Sequence, residues 1–146
     1  MKKIERSAIL QHSAEALYAL VEDIESYPRF LPWCQAVRVE RGPSGTRAKL
    51  QVGLKGLRRS FTTQNRSEPG RAIDMQLVEG PFRSFSAAWR FHPLEAGACR
   101  VAFSMQYEFS SRALARLLEP LFGAIADSMV DAFSRRADAL HGQHQG

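Results

Sequence analysis

The sequence predicts a single α+β domain in which a long C-terminal helix packs on a curved antiparallel sheet. Two patterns indicate this. From residue 33 onward, apolar residues recur at every second position through six segments that short turns separate. In the last 30 or so residues they recur at three- and four-residue spacing. A chain of 146 residues that is 45% hydrophobic suits one domain over residues 1–146, with 141–146 as a frayed tail.

The N-terminal part is predicted to hold one strand and two short helices. Lys3 to Leu10 can form a strand, and Ser13 can cap a helix that runs from Ala14 to about Asp23. The connector that follows, residues 24–34, carries two prolines four positions apart, which leaves room for one or two helical turns. Its aromatic residues favour an inward orientation.

The six alternating segments predict six strands, each with one apolar face. Turn residues separate them at 42–45, 53–56, 68–70, 80–82 and 93–97. Gly53 and Gly56 indicate a bulge or a sharp bend. Because the connections are short, we expect an antiparallel meander, and the N-terminal strand brings the sheet to seven. The predicted order is one strand, two helices, six strands and a long helix.

The C-terminal helix is predicted from a cap at Ser110 or Ser111 to about Leu140. Pro120 lies inside it and removes one backbone hydrogen bond, so we expect a kink or a break there. A divided helix would let residues 111–119 move as a lid. The connector 27–33 would form the opposing rim of an entrance or, alternatively, a plug at the end of the sheet.

A wide sheet under a single long helix predicts a concave, apolar cavity, the usual setting of a small-molecule site. The alternative for each inward residue is an ordinary packed core. The predicted ligand-binding residues are Tyr27, Phe30, Leu31, Trp33, Phe61, Thr63, Met75, Phe82, Phe85, Trp89, Phe103, Met105, Leu117, Leu121, Phe122, Ile125 and Met129.

The sequence offers little for catalysis. It lacks the common nucleophile, dinucleotide, phosphate-loop and zinc-protease motifs, and its four histidines are scattered. Cys34 and Cys99 lie outside any CxxC pair, so we expect no metal site. Arg59, Thr63 and Asn65 fall at inward positions and could orient a ligand's polar head, or Arg59 faces out instead if a bulge at 53–56 shifts the register. We therefore expect no catalytic residue, no cofactor and no enzymatic activity, with an apolar molecule as the bound ligand.

The net charge is +5, from 20 basic and 15 acidic residues. A predicted basic surface comprises Lys49, Lys55, Arg58, Arg59 and Arg66. It is either a solvated face or a phosphate-binding patch for ribosomal RNA or lipid head groups. Few aromatic residues alternate with these charges, so neither base stacking nor a DNA partner is expected. With no signal peptide or membrane-spanning run, we expect a cytoplasmic protein, with peripheral contact at the inner membrane as an alternative.

Four motifs carry a resemblance that covers nearly the whole chain. They are YPRFLPWC at 27–34, KGLRRSFTTQN at 55–65, GPF at 80–82 and WRF at 89–91. With the order of elements, they resemble the bacterial coenzyme-Q-binding protein and ribosome association toxin (RatA) family of the polyketide cyclase/lipid transport superfamily. The resemblance implies a START-like helix-grip fold.

The resemblance implies two functions. Mitochondrial members bind ubiquinone in the apolar cavity and support respiration without catalysis. The bacterial toxin of a type II toxin–antitoxin pair binds the large ribosomal subunit and blocks its association with the small one. Aromatic polyketide cyclisation is a distant third, since it needs an acid or base in the cavity. We rank binding of ubiquinone or another isoprenoid lipid first and ribosome binding as the alternative.

Overall fold

The computed structural model describes residues 1–141 and confirms the predicted order of elements. The helices and strands are β1 (Lys2–Leu10), α1 (Ala14–Glu22), a 3₁₀ helix (Ile24–Arg29), β2 (Cys34–Gly42), β3 (Gly45–Leu54), β4 (Leu57–Glu68), β5 (Ala72–Glu79), β6 (Phe82–Pro93), a 3₁₀ turn (Glu95–Gly97), β7 (Cys99–Phe109) and α2 (Arg112–His141). Ser13 caps α1 as predicted, because its hydroxyl accepts the Ala16 N–H at 3.0 Å. Of the predicted tail, His141 ends α2 and the remainder lies outside the described residues.

All seven strands form one antiparallel sheet in the order β1-β7-β6-β5-β4-β3-β2. The meander from β2 to β7 is confirmed, and β1 adds to its far edge beside β7. The predicted bend at 53–56 is a two-residue hairpin between β3 and β4. Lys55 and Gly56 both adopt positive φ, 54° and 84°, as a type I′ hairpin turn requires. Gly53 lies within β3 and forms no bulge with β4.

The core lies between the inner face of the sheet and α2. Alternate residues of β7 are buried, as its period of two predicts. From α2, the buried side chains recur at three- and four-residue spacing and meet that face. They are Leu118, Leu121, Phe122, Ile125, Ala126, Val130, Phe133 and Ala137.

The predicted break at Pro120 is absent, and α2 is helical from Arg112 to His141. Pro120 still lacks an N–H, so one backbone hydrogen bond is missing there. The residues around it, Leu118 and Leu121, are at most 1% exposed, and their packing on the sheet outweighs the missing bond. Residues 112–119 are therefore continuous with the rest of α2, without the break on which the predicted lid depended.

Polar contacts hold α2 along the β1–β7 side of the sheet. The Tyr107 hydroxyl donates to both carboxylate oxygens of Glu119, at 3.0 and 3.1 Å. Arg6 pairs with Asp127 in the middle of the helix. On the side toward β3 and β4, α2 instead faces the hairpin across an apolar groove. The helix is thus fastened by polar contacts along one edge.

Phe122 and Leu117 provide a test of where α2 stabilises the fold. Phe122→Ala should lower the free energy of unfolding by about 3–5 kcal/mol, because this ring is 1% exposed and packs on several others. Leu117→Ala should cost less than about 1 kcal/mol, because Leu117 is 47% exposed. Urea unfolding followed by circular dichroism measures both. Equal losses would contradict this account of the core.

Candidate apolar ligand site

A cavity of about 50 Å³ lies between the sheet and α2. Its walls are almost entirely apolar, and they combine the strands β3 to β7 with α1, the connector and α2. Of the predicted ligand-binding residues, the following line it: Tyr27, Trp33, Phe61, Thr63, Met75, Phe85, Trp89, Phe103, Met105, Phe122, Ile125 and Met129. Asn65, predicted at an inward position, also lines it, and the sequence reasoning missed Val21, Glu22, Ile24, Ala48, Leu50, Ile73 and Ala87.

Three predicted residues belong to the packed core instead of the cavity wall. Phe82 stacks on Phe109 with 5.1 Å between ring centroids, so neighbouring rings enclose it. Leu31 is 1% exposed within the core. Phe30 packs against Phe133. An inward position on an apolar face therefore did not suffice to place a residue at the cavity.

Two further predicted residues, Leu117 and Leu121, also lie away from the cavity. Both line the groove between α2 and the β3–β4 hairpin, where they face Leu54 and Leu57. This groove is apolar and open to solvent on one side, because Leu54 and Leu117 are 40% and 47% exposed.

The connector closes one end of the cavity, which favours the plug over the rim. Tyr27 and Trp33 are each 6% exposed and form part of the wall. Tyr27 packs edge-on against Phe133, in the C-terminal half of α2, with 5.4 Å between centroids. Residues 111–119 have neighbours other than the connector, so the predicted entrance between residues 111–119 and the connector was wrong.

Three polar side chains interrupt the apolar wall at buried positions. The Thr63 hydroxyl donates to the side-chain amide oxygen of Asn65, Oδ1, at 2.8 Å, and both residues are less than 5% exposed. The indole Nε1–H of Trp33 is buried and has no acceptor among the described residues. A buried donor left without a partner costs about 1–3 kcal/mol. Because Trp33 is also a lining residue, its Nε1–H is the candidate donor to an acceptor that enters the cavity.

The wall offers no side chain poised for proton transfer. The Tyr27 hydroxyl is engaged with the Val21 carbonyl, and burial raises its pKa far above the usual range. Glu22 is the carboxylate among the lining residues. Its oxygens lie 3.9 Å from Arg41 and 3.0 Å from the Ser67 hydroxyl, which donates to it. The arrangement suits binding better than acid–base chemistry.

The two cysteines are also poor nucleophiles. Burial raises the pKa of the Cys34 thiol to about 11, and it raises the pKa of Cys99 as well. Within residues 1–141, no three His, Cys, Asp or Glu side chains come together as a metal site would require. Nor does that stretch contain a helix both long enough and apolar enough to cross a bilayer.

The predicted basic surface is divided between three places. Lys49, Arg58 and Arg66 are exposed on the outer face of the sheet, and Lys55 lies in the β3–β4 turn. Arg59 faces inward, opposite Val52, but it does not line the cavity. Its guanidinium donates to the neighbouring Arg58 carbonyl at 2.9 Å.

The sequence matches the family described as "Polyketide cyclase / dehydrase and lipid transport" over residues 10–134. The Ribosome association toxin RatA of Pseudomonas aeruginosa is 41% identical over 140 residues, covering 95% of this chain and 97% of that protein. The mitochondrial Coenzyme Q-binding protein COQ10 homolog B of Xenopus laevis is 29% identical, covering 99% of this chain and 62% of that protein.

Among solved structures, the Zhui aromatase/cyclase from Streptomyces sp. R1128 superposes with a TM-score of 0.83. The match covers 94% of this chain and 93% of that one, but only 17% of residues are identical, so the likeness concerns the helix-grip fold alone. The chain belongs to the polyketide cyclase/dehydrase and lipid transport family, in the group that contains the ribosome association toxins and coenzyme Q-binding proteins.

Proposed function

We propose that the chain binds ubiquinone or another isoprenoid lipid in the apolar cavity and supports respiration without catalysing a reaction. The observation that carries this proposal is the unpaired Nε1–H of Trp33 in a predominantly apolar wall. A quinone joins a hydrocarbon tail, which the wall accommodates, to carbonyl oxygens, which can accept that hydrogen bond. The Xenopus relative's name, a coenzyme Q-binding protein, supports the same ligand class. We place the protein in the cytoplasm, with access to the inner membrane.

The cavity has to enlarge before it can take such a ligand. Its volume is about 50 Å³. A cavity that holds benzene measures about 150 Å³. Met75, Met105 and Met129 in the wall can change rotamer at low cost, so they supply part of the added volume.

The remaining volume comes from the side of α2 that faces β3 and β4. Along β1 and β7 the helix is held by Glu119 and Asp127, which pair with Tyr107 and Arg6. On the opposite side it meets the hairpin across the apolar groove. Movement of α2 away from the hairpin would break apolar contacts and leave the polar ones intact. This groove, in place of the predicted lid, is the proposed route of entry.

Trp33→Phe tests the hydrogen bond directly. The substitution keeps an aromatic ring in the wall and removes the donor. The dissociation constant for a short-chain ubiquinone, measured by isothermal titration calorimetry, should rise about five- to tenfold, which corresponds to about 1–1.4 kcal/mol. A hydrocarbon isoprenoid without carbonyl groups is the matched control and should bind both proteins within about twofold, because it makes no such bond.

Equal weakening for both ligands would show that Trp33 acts through packing alone. The broader proposal has its own test. Ubiquinone at 100 times its dissociation constant should stabilise the fold by about 2.7 kcal/mol and raise the melting temperature. If it does not, and if mass spectrometry of solvent extracts finds no co-purified quinone or lipid, ligand binding is refuted.

Ribosome association is the second candidate function. The Pseudomonas relative, 41% identical over nearly the whole chain, is named a ribosome association toxin. We propose as the alternative that this chain is the toxin of a type II toxin–antitoxin pair. It would bind the large ribosomal subunit and prevent its association with the small one. The net charge of +5 supports contact with RNA.

Sucrose gradients test this candidate. Purified protein added to ribosomes should decrease the whole-ribosome peak and increase the free subunits. The effect should weaken as salt increases, because phosphate contacts release counterions. Profiles that stay unchanged at both low and moderate salt would refute ribosome association and would leave the ligand proposal intact.

A further inference from the structure

The outer face of β2, β3 and β4, opposite the cavity, carries a group of exposed cations. Alternation along the strands directs their side chains away from the core. We call this group the basic face, and it consists of Arg38, Arg47, Lys49, Arg58 and Arg66. Arg38 and Arg47 were not part of the surface that the sequence predicted. Arg38 joins it because β2 pairs with β3, and Arg47 joins it because it shares the outer face of β3 with Lys49.

The register of the sheet brings like charges together on this face. Arg38 lies directly opposite Lys49. Like charges in that relation destabilise a sheet. Two carboxylates lie opposite members of this face, Glu40 opposite Arg47 and Asp74 opposite Arg66. Within residues 1–141, however, no member of the basic face forms an ion pair with a carboxylate.

The other half of the sheet behaves differently. Arg90 lies 2.9 Å from Asp74, and Arg83 lies 3.3 Å from Glu108. The arginines of β6 are thus neutralised within the protein, as is Arg41 on β2, whereas the members of the basic face form no ion pair among the described residues and are left open to external anions. The contrast within one chain indicates an anionic partner for the basic face in particular.

The residues between the cations narrow the type of partner. They are small or amide side chains: Gln51, Ser60, Thr62 and Gln64. The exposed large hydrophobic side chains lie elsewhere on the described chain, and Leu54, on β3 itself, points toward the groove. Without apolar side chains the face has nothing to insert into a bilayer, and without aromatic rings it has nothing to stack on bases. Cations with hydroxyl and amide groups suit phosphates and ribose hydroxyls.

We propose that the basic face binds the phosphate backbone of double-stranded RNA, and that the chain holds the large ribosomal subunit through it. The inference rests on the second candidate function, ribosome association. Recognition would depend on duplex shape and charge and would carry little sequence preference. It is independent of the cavity on the inner face.

Two variants of equal charge test this proposal. The basic-face variant is Arg38→Gln/Arg47→Gln/Lys49→Gln/Arg58→Gln. The control is Lys3→Gln/Arg83→Gln/Arg90→Gln/Arg100→Gln, on β1, β6 and β7. Each removes four positive charges from the net charge of +5. Fluorescence anisotropy measures binding to an RNA duplex of about 16 base pairs, the span of a typical double-stranded-RNA-binding domain, across a salt series.

The basic-face variant should lower the slope of log affinity against log salt by about four, roughly one for each phosphate that the protein no longer neutralises. Its affinity at about 100 mM salt should decrease at least tenfold. The control should retain the wild-type slope and affinity within about twofold.

Thermal melts should show the basic-face variant at least as stable as wild type, because the repulsion between Arg38 and Lys49 is gone. If it fails to fold, the single Arg38→Gln and Lys49→Gln variants should each lower the slope by about one.

Equal weakening in both variants would overturn the proposal, since net charge alone would then explain binding. Binding of the duplex by the basic-face variant with wild-type affinity would also overturn it. If that variant also binds purified large subunits with wild-type affinity, ribosome association depends on another surface. Wild-type protein that binds neither subunits nor duplex at low salt refutes the second candidate function as well. Binding to anionic phospholipid vesicles without binding to the duplex would assign the face to a membrane and overturn the RNA assignment.

Discussion

The inner face of the sheet has to be kept from water, and α2 is the one helix of the described chain long enough to cross it. Seven strands present more apolar surface than a single helix can cover when the sheet is flat. Burial of that surface is the main term that stabilises the fold, so the sheet curls and α1 and the connector fill its ends. The same requirement explains why α2 continues through Pro120: the side chains around it are needed as part of the cover.

The cavity is what this covering leaves unfilled. Phenylalanine rings from β4, β6 and α2 meet edge-on, with 5.6 Å between the centroids of Phe61 and Phe122 and 5.0 Å between those of Phe82 and Phe122. Edge-to-face contact is a preferred geometry of aromatic pairs, and Phe61 and Phe122 also line the cavity. The flexible methionines line the same cavity. The site is therefore small at rest and can adapt to a ligand.

Much of the fold could be predicted from the sequence because it depends on local periodicity. Spacing of two and of 3.6 predicted the strands of the meander and the long helix, and Ser13 predicted a helix start. The candidate site was harder to predict. Phe82 and Leu121 have inward positions like those of Phe85 and Phe122, yet they are packed elsewhere. Periodicity predicts which face of a strand or helix a residue occupies, but not how close to the cavity its side chain lies.

Other features depend on tertiary contacts that no local pattern reports. Val21 and Ile24 reach the cavity because of how α1 and the connector lie on the sheet. The unpaired state of the Trp33 indole is visible only when every neighbouring acceptor has been placed. The predicted break at Pro120 failed for a related reason, since a local preference was overridden by packing over the length of the helix.

The strands β3 and β4 contribute both to the cavity wall and to the basic face. Ala48 and Leu50 belong to the cavity wall, while Arg47 and Lys49, their immediate neighbours in the chain, point to the opposite side. The two surfaces share a backbone but no side chains. Substitutions on one can therefore be accepted without remodelling the other, and two selective pressures can act on a single pair of strands. A lineage could lose either surface and keep a stable, folded domain that retains the other.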